Sequence, residues 1–130
     1  MSWRSILVFA AVSGFIFVGL GAFGAHGLSK LLNQKQMSWL QTGLQYQSVH
    51  TAVMLAVGLL VMKHDSRWLR YSGLFFALGI VLFSGSLYIL ATLSVRVWPY
   101  ITPLGGLALL LAWVLLLIGL LNINKGANCE

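Results

Sequence analysis

Ile101-Thr-Pro-Leu-Gly-Gly-Leu-Ala-Leu-Leu-Leu-Ala-Trp-Val-Leu-Leu-Leu-Ile-Gly-Leu-Leu121 contains no charged residue. A helix crossing the hydrocarbon core of a bilayer needs about 20 apolar residues in a row, and this stretch supplies them. Three more stretches meet the same requirement, at about residues 5–25, 46–62 and 71–92. The expected fold is therefore all-α, an integral membrane four-helix bundle. It forms a single transmembrane domain over residues 1–130, with one long interfacial connection at about 26–45.

Composition agrees. Of the 130 residues 59% are hydrophobic and only 8% are charged, whereas a soluble domain carries about 25% charged residues. A chain this short cannot hide so much apolar surface from water. Eight Lys and Arg against two acids give a net charge of +6. The basic residues lie singly in loops and ends, without an aromatic-interleaved stripe, so nucleic acid is not an expected partner. Membrane lipids with anionic headgroups are. Cys129 is the single cysteine and has no metal-ligand spacing around it.

The first segment ends in Ala22-Phe23-Gly24-Ala25, which has the small residues of a signal-peptide cleavage site. Its apolar run is longer than such a signal carries, and it reads as a retained helix. With four spans, Arg4, Lys63, Arg67, Arg70 and Lys125 fall on one side and Lys30, Lys35 and Arg96 on the other. The excess predicts both termini in the cytoplasm. It is small enough to leave dual topology open. Trp3 and Trp68 fit an aromatic belt on the terminal side, and Trp39, Trp98 and Tyr100 fit one opposite. The connection alternates Leu28, Leu31, Leu32, Trp39, Leu40 and Leu44 with amides and lysines, which predicts one or two short helices lying in the interface.

Lipid tails are as apolar as leucine, so helices in a bilayer associate through close packing and interhelical hydrogen bonds. Small residues thus mark candidate contact faces: Gly14 and Gly21 in the first span, Gly73 in the third, and Gly105, Ala108 and Ala112 in the fourth. The uncharged polar residues gather in the half of the bundle away from the termini. The candidate ligand- or partner-binding set is His26, Gln45, Tyr46, Gln47, His50, Ser84, Ser86 and Tyr88. Tyr46, Gln47 and His50 share a helix face, as do Ser84 and Tyr88. Little polar character is expected in the other half beyond Ser13 and Ser72. His26 and His50 are placed to approach each other, and an ionisable residue inside a span is a functional candidate, although a neutral hydrogen-bonded tie between helices explains it as well.

Catalytic patterns are missing. Both acids, Asp65 and Glu130, lie outside the spans, so a buried carboxylate for proton-coupled export is lacking. Two histidines do not make a zinc site. No catalytic residue, metal or cofactor is expected. Thr102 and Pro103 suit the cap and first turn of the fourth helix.

Four motifs in this order resemble the YgdD-like family of small bacterial inner-membrane proteins, built on a domain of unknown function (423). They are Gly21-Ala-Phe-Gly-Ala-His26-Gly-Leu28, Thr42-Gly-Leu-Gln-Tyr46-Gln-Ser-Val-His50, Leu82-Phe-Ser-Gly-Ser-Leu-Tyr88 and Thr102-Pro-Leu-Gly-Gly106, with Trp113 beyond them. The resemblance runs from Phe9 to Gly119. It implies a multi-pass protein of the bacterial inner membrane, with relatives in mitochondria, and brings no established activity or substrate. Taken together, the expectation is a non-enzymatic accessory, assembly or lipid-binding protein with a polar seam in its non-cytoplasmic half. The alternative is an oligomeric small transporter or channel, and a quinone-type redox partner using His26, His50 and Tyr88 ranks below both. A homo-oligomer or a larger membrane complex is compatible with the same residues.

Overall fold

The computed structural model describes residues 1–95 and 99–127, with side chains described to Ile123. Arg96, Trp98, Cys129, Glu130 and the side chain of Lys125 lie outside the described residues. Helix α1 spans Trp3–His26, α2 spans Gln34–Lys63, α3 spans Arg67–Gly79, α4 spans Gly85–Leu93 and α5 spans Ile101–Ala127. A π-helical turn, Ile80–Ser84, joins α3 to α4, so the two form one third span from Arg67 to Leu93. Among the described residues four helices are long and apolar enough to cross a membrane, and the protein is an all-α, four-helix integral membrane bundle.

The spans pack in a zigzag. α1 lies mainly against α2, the third span lies against both α2 and α5, and α1 barely meets the third span. The core along these seams is Ile6, Met54, Val57, Leu69 and Phe76, all fully buried, with Ala112 from α5. On the outer faces Phe15 of α1 and Leu107 of α5 are left 81% and 61% exposed, as lipid-facing side chains should be. At the membrane boundaries Arg4, Lys35 and Arg67 stack on the neighbouring rings of Trp3, Trp39 and Trp68 at 5.1, 5.4 and 5.2 Å. Each stack lets a long basic side chain rest on an aromatic anchor.

The connection between the first two spans differs from expectation. The connection holds no separate α-helix: after His26 there is one short 3₁₀ turn, Leu28–Lys30, and α2 then runs unbroken for 30 residues. The cause is local. Asn33 accepts from the backbone N–H of Gln36 at 2.8 Å, and the Gln36 side chain accepts from the N–H of Asn33 at 2.9 Å. This reciprocal capping box starts the helix twelve residues before the apolar run begins. The Gln36 amide also donates to the Ser94 hydroxyl at 2.8 Å, tying the two loops at this end.

The small residues have unequal roles. A Cβ on Gly105 would lie 2.4 Å from the backbone nitrogen of Phe83, so α5 meets the π turn backbone to backbone. At Gly73 it would meet Ile6 at 2.5 Å, and at Gly14 only Thr51 at 3.9 Å. Ala112 is fully buried and Ala108 half-buried. Gly21, expected on a contact face, has nothing within 4 Å, because α1 turns only the other side of its upper half toward α2.

Candidate functional site

Ser13 sits at the middle of α1, three residues from Ala10 on the same buried face, and its hydroxyl shares a 2.7 Å hydrogen bond with Thr51. The Gln47 amide nitrogen donates to the Ser13 carbonyl at 3.0 Å and to its hydroxyl at 3.1 Å. The Tyr88 hydroxyl donates to the other end of the same amide, at Gln47 Oε1. One turn earlier Ser84 donates to the Gly43 carbonyl at 2.7 Å. These bonds join α1, α2 and the third span, which is how buried polar groups in hydrocarbon must be satisfied. Among the described residues no buried side-chain nitrogen or oxygen lacks a partner.

Above this network is a cleft of about 250 Å³. It exists because α1 and the third span run side by side, each leaning on α2 rather than on the other. Phe9, Val12, Ser13 and Ile16 form one wall, and Ile80, Val81, Ser84, Gly85 and Tyr88 form the other. Gln47 closes the floor. The polar atoms there are turned to one another, and the surface offered to an occupant is almost wholly apolar. The π turn contributes directly, since a wider turn shifts the phase of every side chain after it. Ser72, before the turn, donates to the Ala112 carbonyl of α5 at 3.0 Å, whereas Ser84 and Tyr88 face α2.

The remaining candidates divide. Tyr46 and His50 line a second groove of about 560 Å³, between α2 and α5, with Phe83, Gly106 and Trp113. Tyr46 stacks on His50 at 5.9 Å and meets Phe83 at 4.5 Å. His50 is buried, its Nδ1 2.6 Å from the Tyr46 carbonyl and its Nε2 receiving the Trp113 indole N–H at 3.2 Å. Ser86 donates to the Phe83 carbonyl at 2.9 Å and accepts from Thr102 at 2.5 Å, so Thr102 pairs with the third span from inside the first turn of α5. Gln45 is exposed.

His26 and His50 are not brought together. Thr51, beside His50, is level with Ser13, and His26 ends α1 thirteen residues farther on, about 20 Å along the helix. His26 is exposed there. His50 lies near the start of the apolar run at about residues 46–62, yet its neighbour Thr51 is bonded to the middle of α1. Among the described residues no three His, Cys, Asp or Glu side chains gather. Ser13 is the site residue that sequence reasoning assigned to the wrong half. The signal was present: Ile6, Ala10 and Ser13 fall on one helix face, and counting 1.5 Å per residue puts Ser13 midway across the span.

Comparison with known proteins places these features in a wider group. The family described as "Protein of unknown function (DUF423)" matches residues 20–106. The chain is 49% identical over 131 residues to the UPF0382 inner membrane protein YgdD of Escherichia coli (strain K12), covering all of both chains. It is 48% identical over 113 residues to a UPF0382 membrane protein of Haemophilus influenzae, covering 87% of this chain and 90% of that one. It is 37% identical over 122 residues to the UPF0382 membrane protein YwdK of Bacillus subtilis, covering 88% and 94%. No solved structure matches the chain. The relatives' names carry a membrane location and no enzymatic activity.

Proposed function

This chain belongs to the DUF423 family of membrane proteins, and from that premise we propose that it is a non-enzymatic lipid-binding protein that holds a hydrocarbon chain between α1 and the third span. The observation that carries the reading is the cleft itself. It opens sideways to where lipid lies, its walls are apolar, and its floor is a polar network that is already complete. An occupant therefore gains by burying methylenes, at about 0.8 kcal/mol for each one, and is offered almost no polar surface. A lipid chain fits that description better than a solute crossing the membrane, for which the paired floor offers few free polar groups.

The sidedness of the charges supports cytoplasmic termini, with the polar seam in the opposite half. Single cysteines placed at Ser66 and Asn33 and labelled from outside intact cells with an impermeant maleimide test this. Labelling at Ser66 and not at Asn33 would reverse the assignment, and labelling at both would indicate dual topology.

Gly85 lines the cleft, and a Cβ there meets nothing within 4 Å, so the side chain of Gly85→Leu starts from open space at the cleft wall. Native mass spectrometry of gently extracted protein should show one stoichiometric lipid adduct that resists activation. The adduct should be lost in Gly85→Leu while the folded mass and thermal midpoint persist. A protein that flies without lipid, or an adduct indifferent to Gly85→Leu, would overturn the reading.

A further inference from the structure

The cleft does not end at mid-membrane. A second depression, at the start of α1, is lined by Met1, Arg4, Ser5, Val8, Phe9 and Val12. Phe9 and Val12 belong to both. The two therefore join into one track along a single face of α1, from Arg4 at the membrane boundary to Ile16 in the middle of the span. The distance from Arg4 to Val12 is about 12 Å along the helix axis. At the outer end of the track is a cation. Arg4 is exposed, its guanidinium rests on the Trp3 ring at 5.1 Å, and among the described residues it has no carboxylate partner. Arg70, by contrast, is neutralised by Asp65 at 2.6 Å.

We propose that the occupant of the cleft is a phospholipid with an anionic headgroup, its phosphate at Arg4 and one acyl chain laid along Val8, Phe9 and Val12 into the space before Gly85. This rests on the lipid-chain reading above and adds the headgroup class and the end at which it sits. The argument is one of chemical complementarity along the track. A guanidinium is the side chain best matched to phosphate oxygens, in charge and in donor geometry. Its stem and the Trp3 ring hold it at headgroup level. The N-terminal end of α1 adds a favourable dipole at the same point. From there inward the lining side chains are apolar, apart from Ser5, whose hydroxyl is bonded to Ser2, until Ser13, whose hydroxyl is already bonded to Gln47 and Thr51. A headgroup at the other end of the cleft would meet no such cation, since the wall there is formed by Ile16, Gly85 and Tyr88.

The test is competition between two synthetic lipids with identical acyl chains, phosphatidylglycerol and phosphatidylethanolamine, titrated into delipidated full-length protein and read by native mass spectrometry. Wild type should retain phosphatidylglycerol in preference by about fivefold, the factor carried by one basic side chain near an anionic surface. Arg4→Gln should bring the two lipids to parity while total lipid occupancy stays within twofold of wild type. Arg67→Gln is the control: it removes an exposed arginine stacked on Trp68 that lines neither depression, and it should keep the preference. Equal retention of the two lipids by wild type, or a preference that survives Arg4→Gln, would overturn the headgroup assignment. So would an equal loss in Arg67→Gln, since the preference would then belong to the basic surface as a whole. The chain reading fails separately, through lipid retention of either class that Gly85→Leu does not reduce.

Discussion

Trp113, at the middle of α5, donates its indole N–H to Nε2 of His50 across 3.2 Å. A nitrogen that accepts carries no proton, so the ring proton is on Nδ1 and is donated to the Tyr46 carbonyl 2.6 Å away. Both nitrogens of His50 are engaged, and its ring is flanked by Phe76 at 5.7 Å and Tyr46 at 5.9 Å. The histidine works as a neutral tie between α2 and α5, two helices that the third span otherwise keeps apart.

Trp113→Phe should therefore destabilise the protein although it keeps an aromatic ring of similar shape in place. The deletion leaves Nε2 buried without a donor, at a cost of about 1–3 kcal/mol. Thermal unfolding in detergent micelles should show the loss, and His50→Ala should lose more because it also opens a cavity. The double variant should fall short of the sum by at least about 0.5 kcal/mol, the signature of coupled neighbours. Strict additivity would mean that the bond contributes nothing to holding α5.

The Gln47 amide should show coupling of the same kind across three helices. Gln47→Leu deprives both the Tyr88 hydroxyl and the Ser13 carbonyl of a partner, whereas Tyr88→Phe removes a single donor. Interhelical hydrogen bonds in bilayers contribute about 0.6 kcal/mol on average and up to about 1.7. Tyr88→Phe should cost about 1 kcal/mol and Gln47→Leu about twice that, with Tyr88→Phe nearly silent in the Gln47→Leu background. Denaturation in mixed micelles across the four proteins measures the cycle, and a full additional loss in the double variant would break the proposed chain.

Much of this was legible in advance, and the failures have physical reasons. Four spans could be read because hydropathy reports immersion in lipid directly. The same signal misplaced the start of α2 at Tyr46, because it sees only the part of a helix that lies in hydrocarbon. The capping pair Asn33 and Gln36, which sets the true start, is a two-residue signal overshadowed by the polar residues around it. Gln47, Ser84 and Tyr88 were recognised as one group because buried polar groups must meet. Their partner Ser13 was missed when the bundle was divided into halves by topology instead of by depth. The π turn left no mark that periodicity can read, yet it decides that Ser84 faces α2. The clefts were invisible for a related reason, since they depend on which helices fail to touch.

Asn33→Ala offers a local test of the helix start. Losing an N-cap costs about 1 kcal/mol, and the Gln36 side chain then keeps only the backbone N–H of residue 33 from the reciprocal pair. Hydrogen exchange should speed up in the first turn of α2 and at Ser94, to which Gln36 is bound, and remain unchanged from Gly43 onward. A loss of protection spreading through the span would show that α2 depends on its first turn far more than a membrane-supported helix should.

Gly105 and Gly21 give opposite expectations from the same residue type. At Gly105 a methyl group would lie 2.4 Å from the Phe83 nitrogen and 2.8 Å from its α-carbon. These are backbone atoms and cannot rotate away, so α5 must withdraw from the π turn. That withdrawal stretches the Ser86–Thr102 bond one turn off and widens the groove beneath Trp113. Gly105→Ala should lower stability by about 3 kcal/mol or more, at the upper end of what a single overpacked position costs. Gly21→Ala meets open space, and the added methyl only reduces the freedom of the unfolded backbone, a gain of about 0.5–1 kcal/mol. The two variants, compared by thermal unfolding in one detergent, should thus move the midpoint in opposite directions. A Gly21→Ala variant as damaged as Gly105→Ala would mean that the exposed face of α1 is covered in the membrane by another helix, most simply from a second copy of the chain.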